Sequence, residues 1–301
     1  MVVVRLEKLL TEQRNPASEG IDACPTEEIL GVINAEDRKV AEAVGLEIPR
    51  IAQAVEAVVE RLGRGGRLFY IGAGTSGRLG VLDAAECPPT FDVPPELVQG
   101  IIAGGERALT RAAEAIEDDP ALGARDLLEH GFTEADVLVG ITASGRAPYV
   151  LGAVAKATEL GAFTIGISCT PASELSRAVH IPIEPLPGPE ILTGSTRMKA
   201  GTATKLVLNM LSTAAMIRLG HVYGNLMVNV QPKNAKLANR ARRIVAAAAG
   251  VDDRCAAEFL DRSGGAVKIA IVMARLGASR ERAEARLLAA GGRVSEALKN
   301  G

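Results

Sequence analysis

Three segments of the sequence place glycine beside hydroxyl side chains. They are Gly72-Ala-Gly-Thr-Ser-Gly77, Thr142-Ala-Ser-Gly-Arg146 and Thr193-Gly-Ser-Thr-Arg197. Glycine lets the backbone approach an anion closely, and a helix that begins in such a loop offers free N–H groups with positive partial charge. Serine and threonine add neutral hydrogen-bond donors. This composition favours a site for a phosphate monoester.

Each loop taken alone is also compatible with roles that involve no phosphate. Serine and threonine commonly cap helices without binding a ligand, although three loops of the same composition make capping alone less favoured. Gly72, Gly74 and Gly77 also fit the GxGxxG pattern of dinucleotide sites, but no acidic residue closes the next apolar segment, Val98–Ala103. A dinucleotide site therefore stays possible from this loop alone. The chain has no GxxxxGKS or GxxxxGKT sequence, which disfavours nucleotide hydrolysis.

Five short apolar segments predict the strands of a sheet. Stretches with helical spacing separate them, and continuous apolar strands that alternate with helices are typical of a parallel sheet covered on both faces. The segments are Arg67–Ile71, Val98–Ala103, Asp136–Ile141, Phe163–Ser168 and Ala178–Ile183. Because ligands bind beyond the carboxyl ends of such strands, we expect the three glycine-hydroxyl loops at that edge.

Helical segments are expected on either side of the sheet. Residues 1–34 are polar and rich in turn-forming residues, which indicates an arm that lies on a surface. Apolar residues recur at three- and four-residue spacing over residues 34–62, so a helix is predicted there, kinked or split at Pro49. A second long helix is predicted over Ser195–Leu219.

The end of the sequence indicates a small helical module. From about Lys236 we find only short units of helical spacing, separated by glycine or serine: Val251–Ser263, Gly265–Leu276 and Ser279–Ala290. The chain is therefore predicted to have three parts. They are an N-terminal arm and helix (1–55), an α/β domain that binds the phosphate (56–235), and an all-helical C-terminal module (236–301).

Composition and charge exclude several classes of protein. The 301 residues carry a formal net charge of −2 and a pI near 6.0, which argues against a broad nucleic-acid-binding face. The four cysteines form no CxxC pair, and the three histidines form no HxH or HExxH pattern. Neither a metal site nor another cofactor is therefore expected.

A cytoplasmic location without a membrane partner is expected. Charged residues interrupt Met1–Lys8 too early for the apolar core of a signal peptide. No uncharged apolar run reaches the roughly 18 residues that a membrane span needs. The widely separated cysteines are typical of reduced thiols in a cytosolic protein.

The longer motifs resemble a known family. The loops at 72–77 and 143–146 resemble those of sugar isomerase (SIS) domains. The segment Gly188–Lys205, called the signature segment below, resembles one shared by N-acetylmuramic acid 6-phosphate etherases and the glucokinase regulatory protein. Gly74–Thr90 and Gly220–Val230 are similar to the bacterial etherases in particular. The similarity covers nearly the whole chain, including Thr11-Glu-Gln-Arg-Asn15 and the helical tail.

The resemblance implies both a fold and a reaction. The fold would be an α/β three-layer sandwich of the SIS type with a five-stranded parallel sheet, assembled as a homodimer with sites near the subunit interface. The reaction would be a carbon–oxygen lyase step on a sugar phosphate, in which water replaces D-lactate at C3 of N-acetylmuramic acid 6-phosphate. With the sugar ring open, the C1 aldehyde acidifies the C2 hydrogen. A base then removes that proton and an acid protonates the departing lactate oxygen.

Two glutamates match the catalytic carboxylates of the etherase family. Glu86 matches the proton donor and is expected just past the helix that follows the phosphate loop, where Pro88-Pro89 would fix the chain direction. Glu117 matches the second glutamate, to which we assign the base role at C2. From the residues alone, an acidic cluster before Pro120 is more commonly a solvated helix end, and Glu190 is an equally good candidate.

The remaining candidates would bind the substrate. Backbone and hydroxyl donors to the phosphate are expected from Gly74, Thr75, Ser76, Ser144, Gly145, Ser195 and Thr196. Arg146 is a candidate for the lactyl carboxylate, with a surface salt bridge as an equal alternative. Lys199 and Glu190 complete the predicted binding set.

Two other functions on the same fold stay open. A regulator that only binds sugar phosphates would keep the hydroxyl loops and the signature segment, but would not need the stretch Glu86-Cys-Pro-Pro-Thr90. An aldose–ketose phosphate isomerase would need a base at C2 but no acid placed at C3. The presence of Glu86 in its matching stretch favours the etherase.

Overall fold

The computed structural model describes residues 10–111, 116–230 and 235–299 of the chain. The prediction that Met1–Lys8 is no signal peptide concerns residues outside these ranges. The first residues of the predicted N-terminal arm also lie outside these ranges.

The chain forms two compact units. The first comprises residues 1–85 and 95–212, and the second comprises residues 86–94 and 213–301. The three-part division predicted at residues 55/56 and 235/236 stays a prediction.

The first unit is built on a five-stranded parallel sheet in the order β2-β1-β3-β4-β5. The strands are β1 (Leu68–Gly72), β2 (Val98–Ile102), β3 (Val137–Ile141), β4 (Phe163–Ile167) and β5 (Ile181–Ile183). All five predicted strands are confirmed. Every residue of β1 and β3 is buried, which is why these segments are continuously apolar.

Helices surround this sheet and precede it. In the described part of the chain, short 3-10 helices at Leu10–Glu12, Pro16–Ser18 and Ile21–Ala23 precede the first α-helix. The α-helices are α1 (Thr26–Leu46), α2 (Ile48–Gly63), α3 (Gly74–Phe91), α4 (Arg107–Thr110), α5 (Pro120–Glu129), α6 (Pro148–Glu159), α7 (Glu174–Ala178) and α8 (Lys199–Arg218).

Helices cover both faces of the sheet. Phe69 and Ile71 of β1 belong to a core cluster with Tyr149 and Val150 of α6. Tyr70, which points the other way, meets α3 so closely that a Cβ atom on Gly80 would lie 2.9 Å from Cβ of Tyr70. The three-layer α/β arrangement implied by the family resemblance is therefore confirmed.

The helix predicted over residues 34–62 differs from the structure at its start. The split near Pro49 is confirmed, because Pro49 lies in the first turn of α2, where its missing N–H needs no acceptor. However, α1 already begins at Thr26, inside the region predicted to be an arm. Glu27 and Glu28 in the first turn suit the helix dipole, and the polar residues occupy an exposed face, so polarity was misread as irregular structure.

Helix α3 runs further than the sequence indicated. Glu86 was expected just past the end of this helix, but α3 continues through Pro88 and Pro89 to Phe91. Each proline removes one intrahelical hydrogen bond, and the ladder resumes where the Asp92 N–H donates to the Pro88 carbonyl at 2.9 Å. Glu86 therefore lies within the helix, on its exposed side.

The second unit is mostly helical. Its described residues form a two-stranded hairpin and five C-terminal helices, with an apolar core that includes Val245, Ile271 and Leu287. The elements are β6 (Val222–Tyr223), β7 (Leu226–Met227), α9 (Ala235–Ala249), α10 (Asp253–Arg262), α11 (Val267–Leu276), α12 (Arg280–Ala289) and α13 (Val294–Lys299). The three predicted C-terminal helices correspond to α10, α11 and α12.

The longest helix of this unit was not predicted. In α9 the buried residues Ala241, Ile244, Val245 and Ala248 follow helical spacing. Two of these four are alanines, which also occupy exposed positions of the helix, so the apolar period is hard to see in the sequence.

Candidate functional site

A pocket opens at the carboxyl end of the sheet, between β1 and β3. From β1 the chain crosses to β2 on one side, and from β3 it crosses to β4 on the other, so the loops that follow these two neighbouring strands diverge. The cavity there measures about 250 Å³. Six residues predicted for the site line it: Gly74, Thr75, Ser76, Glu117, Ser144 and Thr196.

Glycines shape the loop between β1 and α3. A Cβ atom on Gly72 would lie 2.7 Å from the Gly77 nitrogen, and one on Gly77 would lie 2.5 Å from the Gly72 oxygen, so neither position accepts a side chain. Gly74 has a φ of +53°, a conformation that glycine adopts without strain. The loop is therefore tight enough to begin a helix directly at the end of β1.

The first turn of α3 supplies the donors on this side of the pocket. The first N–H groups of a helix have no acceptor within it, and they carry positive partial charge. The half-buried hydroxyls of Thr75 and Ser76 stand at the same turn. A phosphate group fits such a site without a charged protein partner.

The loop after β3 supplies the opposite wall. The Ser144 hydroxyl lies 3.3 Å from the Thr142 hydroxyl and accepts from the Arg146 N–H at 3.3 Å. Gly145, with a φ of +69°, closes this turn by donating its N–H to the Thr142 carbonyl at 3.0 Å. A Cβ atom on Gly145 would lie 2.2 Å from Cβ of Ser173, so packing alone requires glycine at this position.

Arg146 lies beside the pocket and is not part of its lining. Its Nη2 atom pairs with Glu174 at 3.1 Å. A salt bridge of this kind was the alternative role predicted for Arg146. Its buried Nη1 atom has no hydrogen-bond partner among the described residues. The guanidinium thus keeps one donor that could meet an anionic group.

The signature segment divides its polar residues between two tasks. Thr196 and Gly194 line the pocket, whereas Ser195 is half-buried outside the lining. Both carboxylate oxygens of Glu190 accept from the first amides of α8, those of Lys199 and Ala200, at 2.9 Å each. Glu190, predicted to bind substrate, is therefore a buried helix cap.

Lys199, which was also predicted to bind substrate, has buried contacts within the protein. Its side chain is fully buried, and its Nζ atom donates to Glu36 at 2.7 Å and to the Pro187 carbonyl at 2.9 Å. Lys39 pairs with the other oxygen of Glu36. Burial alone would raise the pKa of Glu36, but hydrogen bonds from Lys199, Lys39 and Asn15 hold that pKa at about 2.

The same buried ion pair anchors the N-terminal arm. Asn15 donates to Glu36 at 2.9 Å and to the Pro189 carbonyl at 3.0 Å. Ser18 donates to the Ile191 carbonyl at 2.8 Å, and the Gly194 N–H donates to the Thr11 carbonyl at 3.1 Å. These bonds run along the signature segment and bring Thr11 and Glu12 to the pocket.

Glu117 lies in a turn that the packing of α5 against α6 holds in place. A Cβ atom on Gly152 would lie 2.0 Å from the Pro120 oxygen, so the two helices are in backbone contact. The Tyr149 N–H donates to the Glu117 carbonyl at 3.0 Å. Asp119 caps α5 by accepting from Ala121 at 2.8 Å, whereas Glu117 is the one described residue of this acidic run that lines the pocket.

Glu86 is separated from the phosphate loop by three turns of α3. Glu86 lies ten positions after Ser76 along this helix, which corresponds to about 15 Å of helical rise. The residues that line the pocket all belong to the first unit, and Glu86 belongs to the second. The pocket itself thus contains one of the two predicted catalytic glutamates.

Two pocket residues were missed in the sequence. Thr11 and Glu12 line the cavity, but their segment was read only as part of an arm. The signal was present, because Thr11-Glu-Gln-Arg-Asn15 resembles the etherase family, yet nothing local in the sequence indicates where an arm lies.

Among the described residues, no group of three or more His, Cys, Asp or Glu side chains could hold a metal ion. None of the helices in this part of the chain is long and apolar enough to cross a membrane.

Comparison with known domains and structures identifies the fold. The family model for the glucokinase regulatory protein N-terminal SIS domain matches residues 50–158, which include β1, β3 and the loops that follow them. A solved phosphoheptose isomerase from Francisella tularensis aligns with a TM-score of 0.51 at 22% identity, over 64% of this chain and 97% of that chain. The first unit therefore has the SIS fold.

Comparison with curated sequences gives much closer relatives. The N-acetylmuramic acid 6-phosphate etherase of Aeromonas hydrophila is 53% identical over 98% of this chain and 99% of its own length. The etherase of Rubrobacter xylanophilus is also 53% identical, over 99% of this chain and 98% of its own length. The Geobacillus etherase is 52% identical over 98% of this chain and its own full length. The chain therefore belongs to the N-acetylmuramic acid 6-phosphate etherase family.

Proposed function

We propose that this chain converts N-acetylmuramic acid 6-phosphate into N-acetylglucosamine 6-phosphate and D-lactate, as a cytoplasmic enzyme of amino-sugar recycling. The observation that carries the proposal is the position of Glu117, which lines one pocket together with Thr75, Ser76 and Ser144. A phosphate site and a carboxylate in one cavity suit a substrate with an acidic C–H bond a few carbons from its phosphate. The names of the closely similar relatives support the same substrate.

The phosphate binds at the first turn of α3. The free N–H groups of that turn and the hydroxyls of Thr75, Ser76, Ser144 and Thr196 surround it with donors. No lysine or arginine among the described residues lines the pocket. The N-terminus of α3 therefore provides the positive potential. The sugar then extends from the phosphate toward the pocket mouth.

Glu117 acts as the base at C2. In the open-chain sugar the aldehyde at C1 acidifies the C2 hydrogen, and the carboxylate accepts that proton. The half-buried position of Glu117 and the hydrogen bond from Tyr149 to its backbone carbonyl support a fixed base. The electron pair of the C2–H bond forms the C2–C3 double bond as the C3–O bond breaks.

Glu86 acts as the acid that protonates the departing lactate oxygen. Water then adds at C3 of the unsaturated aldehyde and a proton returns to C2, so the overall change is exchange of lactate for hydroxide. About 15 Å of helix separates Glu86 from the phosphate loop of its own chain, which is longer than the path from C6 to C3 of a hexose. We therefore propose a homodimer in which Glu86 serves the pocket of the partner copy.

Product analysis tests the reaction. The wild-type chain is incubated with N-acetylmuramic acid 6-phosphate in isotopically labelled water, and D-lactate is assayed. We expect lactate release, one solvent hydrogen at C2 and the water oxygen at C3. A regulator that only binds sugar phosphate would release no lactate, and an isomerase would exchange C2 hydrogen without lactate release.

Mixing two inactive variants tests the shared site. Glu86→Gln and Glu117→Gln are each prepared as homodimers and then mixed under conditions that exchange subunits. If Glu86 serves the partner, half of the dimers are mixed and each has one intact site, so activity returns to about one quarter of wild type. If both glutamates act within one chain, no site in the mixture is intact and activity stays absent. Each homodimer alone is the control.

A further inference from the structure

The N-terminal arm supplies an additional carboxylate to the phosphate pocket. Glu12 lines the cavity together with Thr75 and Ser76. Its Oε2 atom lies 3.3 Å from the position that a Cβ atom on Gly194 would take, so the carboxylate rests against the signature segment. Its other oxygen, Oε1, lies 3.4 Å from the hydroxyl of the buried residue Thr11.

Buried contacts at Thr11 and Asn15 hold the arm in place on both sides of the exposed residue Glu12. The Thr11 carbonyl accepts from the Gly194 N–H at 3.1 Å, directly beside Glu12. Asn15, four residues after Thr11, donates a hydrogen bond to Glu36, which is itself paired with the fully buried Lys199. Because burial of charged groups is unfavourable unless they are paired, such an anchor indicates a specific position for the arm.

Charge decides which part of a ligand can face Glu12. The donors at the first turn of α3 and the hydroxyl of Ser144 define where the phosphate lies. A phosphate placed directly against the Glu12 carboxylate would be repelled, because both groups are negative. Sugar hydroxyls are donors, and an ionised carboxylate only accepts hydrogen bonds. Glu12 therefore suits the neutral, hydroxyl-bearing part of the ligand.

We infer that Glu12 binds hydroxyl groups of the sugar and makes the pocket select a polyhydroxylated phosphate ester over phosphate alone. The inference rests on the proposed function for the identity of the substrate. It adds a binding residue that acts next to Glu117 and that takes no proton from carbon.

Steady-state kinetics with a matched control tests this role. Glu12→Gln and Glu12→Ala are compared with Glu19→Gln, which removes an exposed carboxylate from the same arm outside this pocket. We expect Glu12→Ala to raise KM for N-acetylmuramic acid 6-phosphate by about 10- to 100-fold, the range for a lost hydrogen bond to a charged group. The inhibition constant of inorganic phosphate stays within twofold or falls. Glu19→Gln changes neither constant.

Three outcomes would overturn the inference. An unchanged KM in Glu12→Ala would mean that the carboxylate meets no part of the substrate. A parallel rise of KM and of the phosphate inhibition constant would mean that Glu12 only supports the phosphate loops. A lower Tm together with increases in KM and in the phosphate inhibition constant would mean that Glu12 supports folding.

Direct binding separates this inference from the proposed reaction. Calorimetric titration measures the affinity of the same variants for N-acetylglucosamine 6-phosphate and for ethyl phosphate, which lacks hydroxyl groups. We expect Glu12→Ala to weaken only the sugar phosphate. If the wild type releases no lactate, the reaction is wrong while this titration still decides the role of Glu12. Equal loss for both ligands, or no loss for either, would contradict it.

Discussion

The pocket and the buried ion-pair cluster of Glu36 and Lys199 both take residues from the same two stretches of sequence. The arm contributes Glu12 to the pocket and Asn15 to the cluster. The signature segment contributes Thr196 to the pocket and Lys199 to the cluster. In the cluster, charged groups are paired and hidden from water, whereas the pocket is an open cavity lined by hydroxyl and carboxylate residues.

This difference shows why a family motif is a poor guide to individual roles. Glu190 and Lys199 belong to a segment shared with sugar-phosphate proteins, yet both are buried and fully engaged with protein partners. Because they fix the start of α8 and the course of the arm, we predict that they contribute to binding indirectly. The two regions should therefore respond differently to substitution: pocket variants change kinetics, and cluster variants change stability.

The largest effect is expected from Glu117→Gln. Loss of a general base typically lowers kcat by about 10²- to 10⁴-fold, and the amide keeps the shape of the side chain. We expect an unchanged Tm and a KM within a few-fold of wild type. Asp118→Asn, which removes the exposed neighbouring charge, is the control and should retain activity. A comparable kcat for both variants would remove Glu117 from the mechanism.

The next effect is expected in the cluster, from Lys199→Met. Removing one partner of a buried pair leaves Glu36 buried without its main cation, which typically costs about 3–5 kcal/mol of unfolding free energy. Lys39→Met removes the exposed partner of the same carboxylate and should cost less than about 1 kcal/mol. Urea denaturation of both variants measures the difference. Equal losses would mean that burial does not distinguish the two lysines.

The sheet could be predicted from the sequence because burial on both faces leaves a local mark. The five predicted segments are mostly apolar, fully buried in β1 and β3, and all five are strands in the structure. Helix α9 could not be recognised, since alanine occupies both its buried and its exposed positions. The start of α1 was missed because an exposed helical face is as polar as a loop.

The site was only partly predictable, for a different physical reason. The hydroxyl loops after β1 and β3 follow strands directly, so their positions come from the topology of the sheet. The destination of the arm depends on contacts such as that between Asn15 and Pro189, which are 174 residues apart in sequence. Likewise, Glu117 and Asp119 belong to one acidic run, and only packing decides that one lines the pocket while the other caps a helix.

A smaller effect is expected from the pH dependence of stability. The folded pKa of Glu36 is about 2, below the value of about 4.3 expected for the unfolded chain. A lowered pKa stabilises the fold fully above the unfolded pKa, and this contribution is lost as pH falls from about 5 toward 2, by roughly 2–3 kcal/mol. Glu36→Gln should therefore lose less stability than wild type between pH 6 and pH 3 in urea denaturation, by about 1.5–2 kcal/mol. Identical slopes would mean that other carboxylates dominate acid unfolding.

The smallest effect, from Ser144→Ala, tests the boundary of the pocket most sharply. Loss of one neutral donor to a phosphate should raise KM by about tenfold, and the inhibition constant of inorganic phosphate should rise by the same factor. Ser195→Ala is the matched control, because Ser195 came from an equivalent glycine-hydroxyl loop but does not line the pocket. We expect it to keep both constants within twofold of wild type. The contrary result is that Ser195→Ala raises the inhibition constant of phosphate as much as Ser144→Ala does. That result would place the phosphate closer to the signature segment than the pocket lining indicates. The N-terminus of α3 would then not be the main phosphate-binding group.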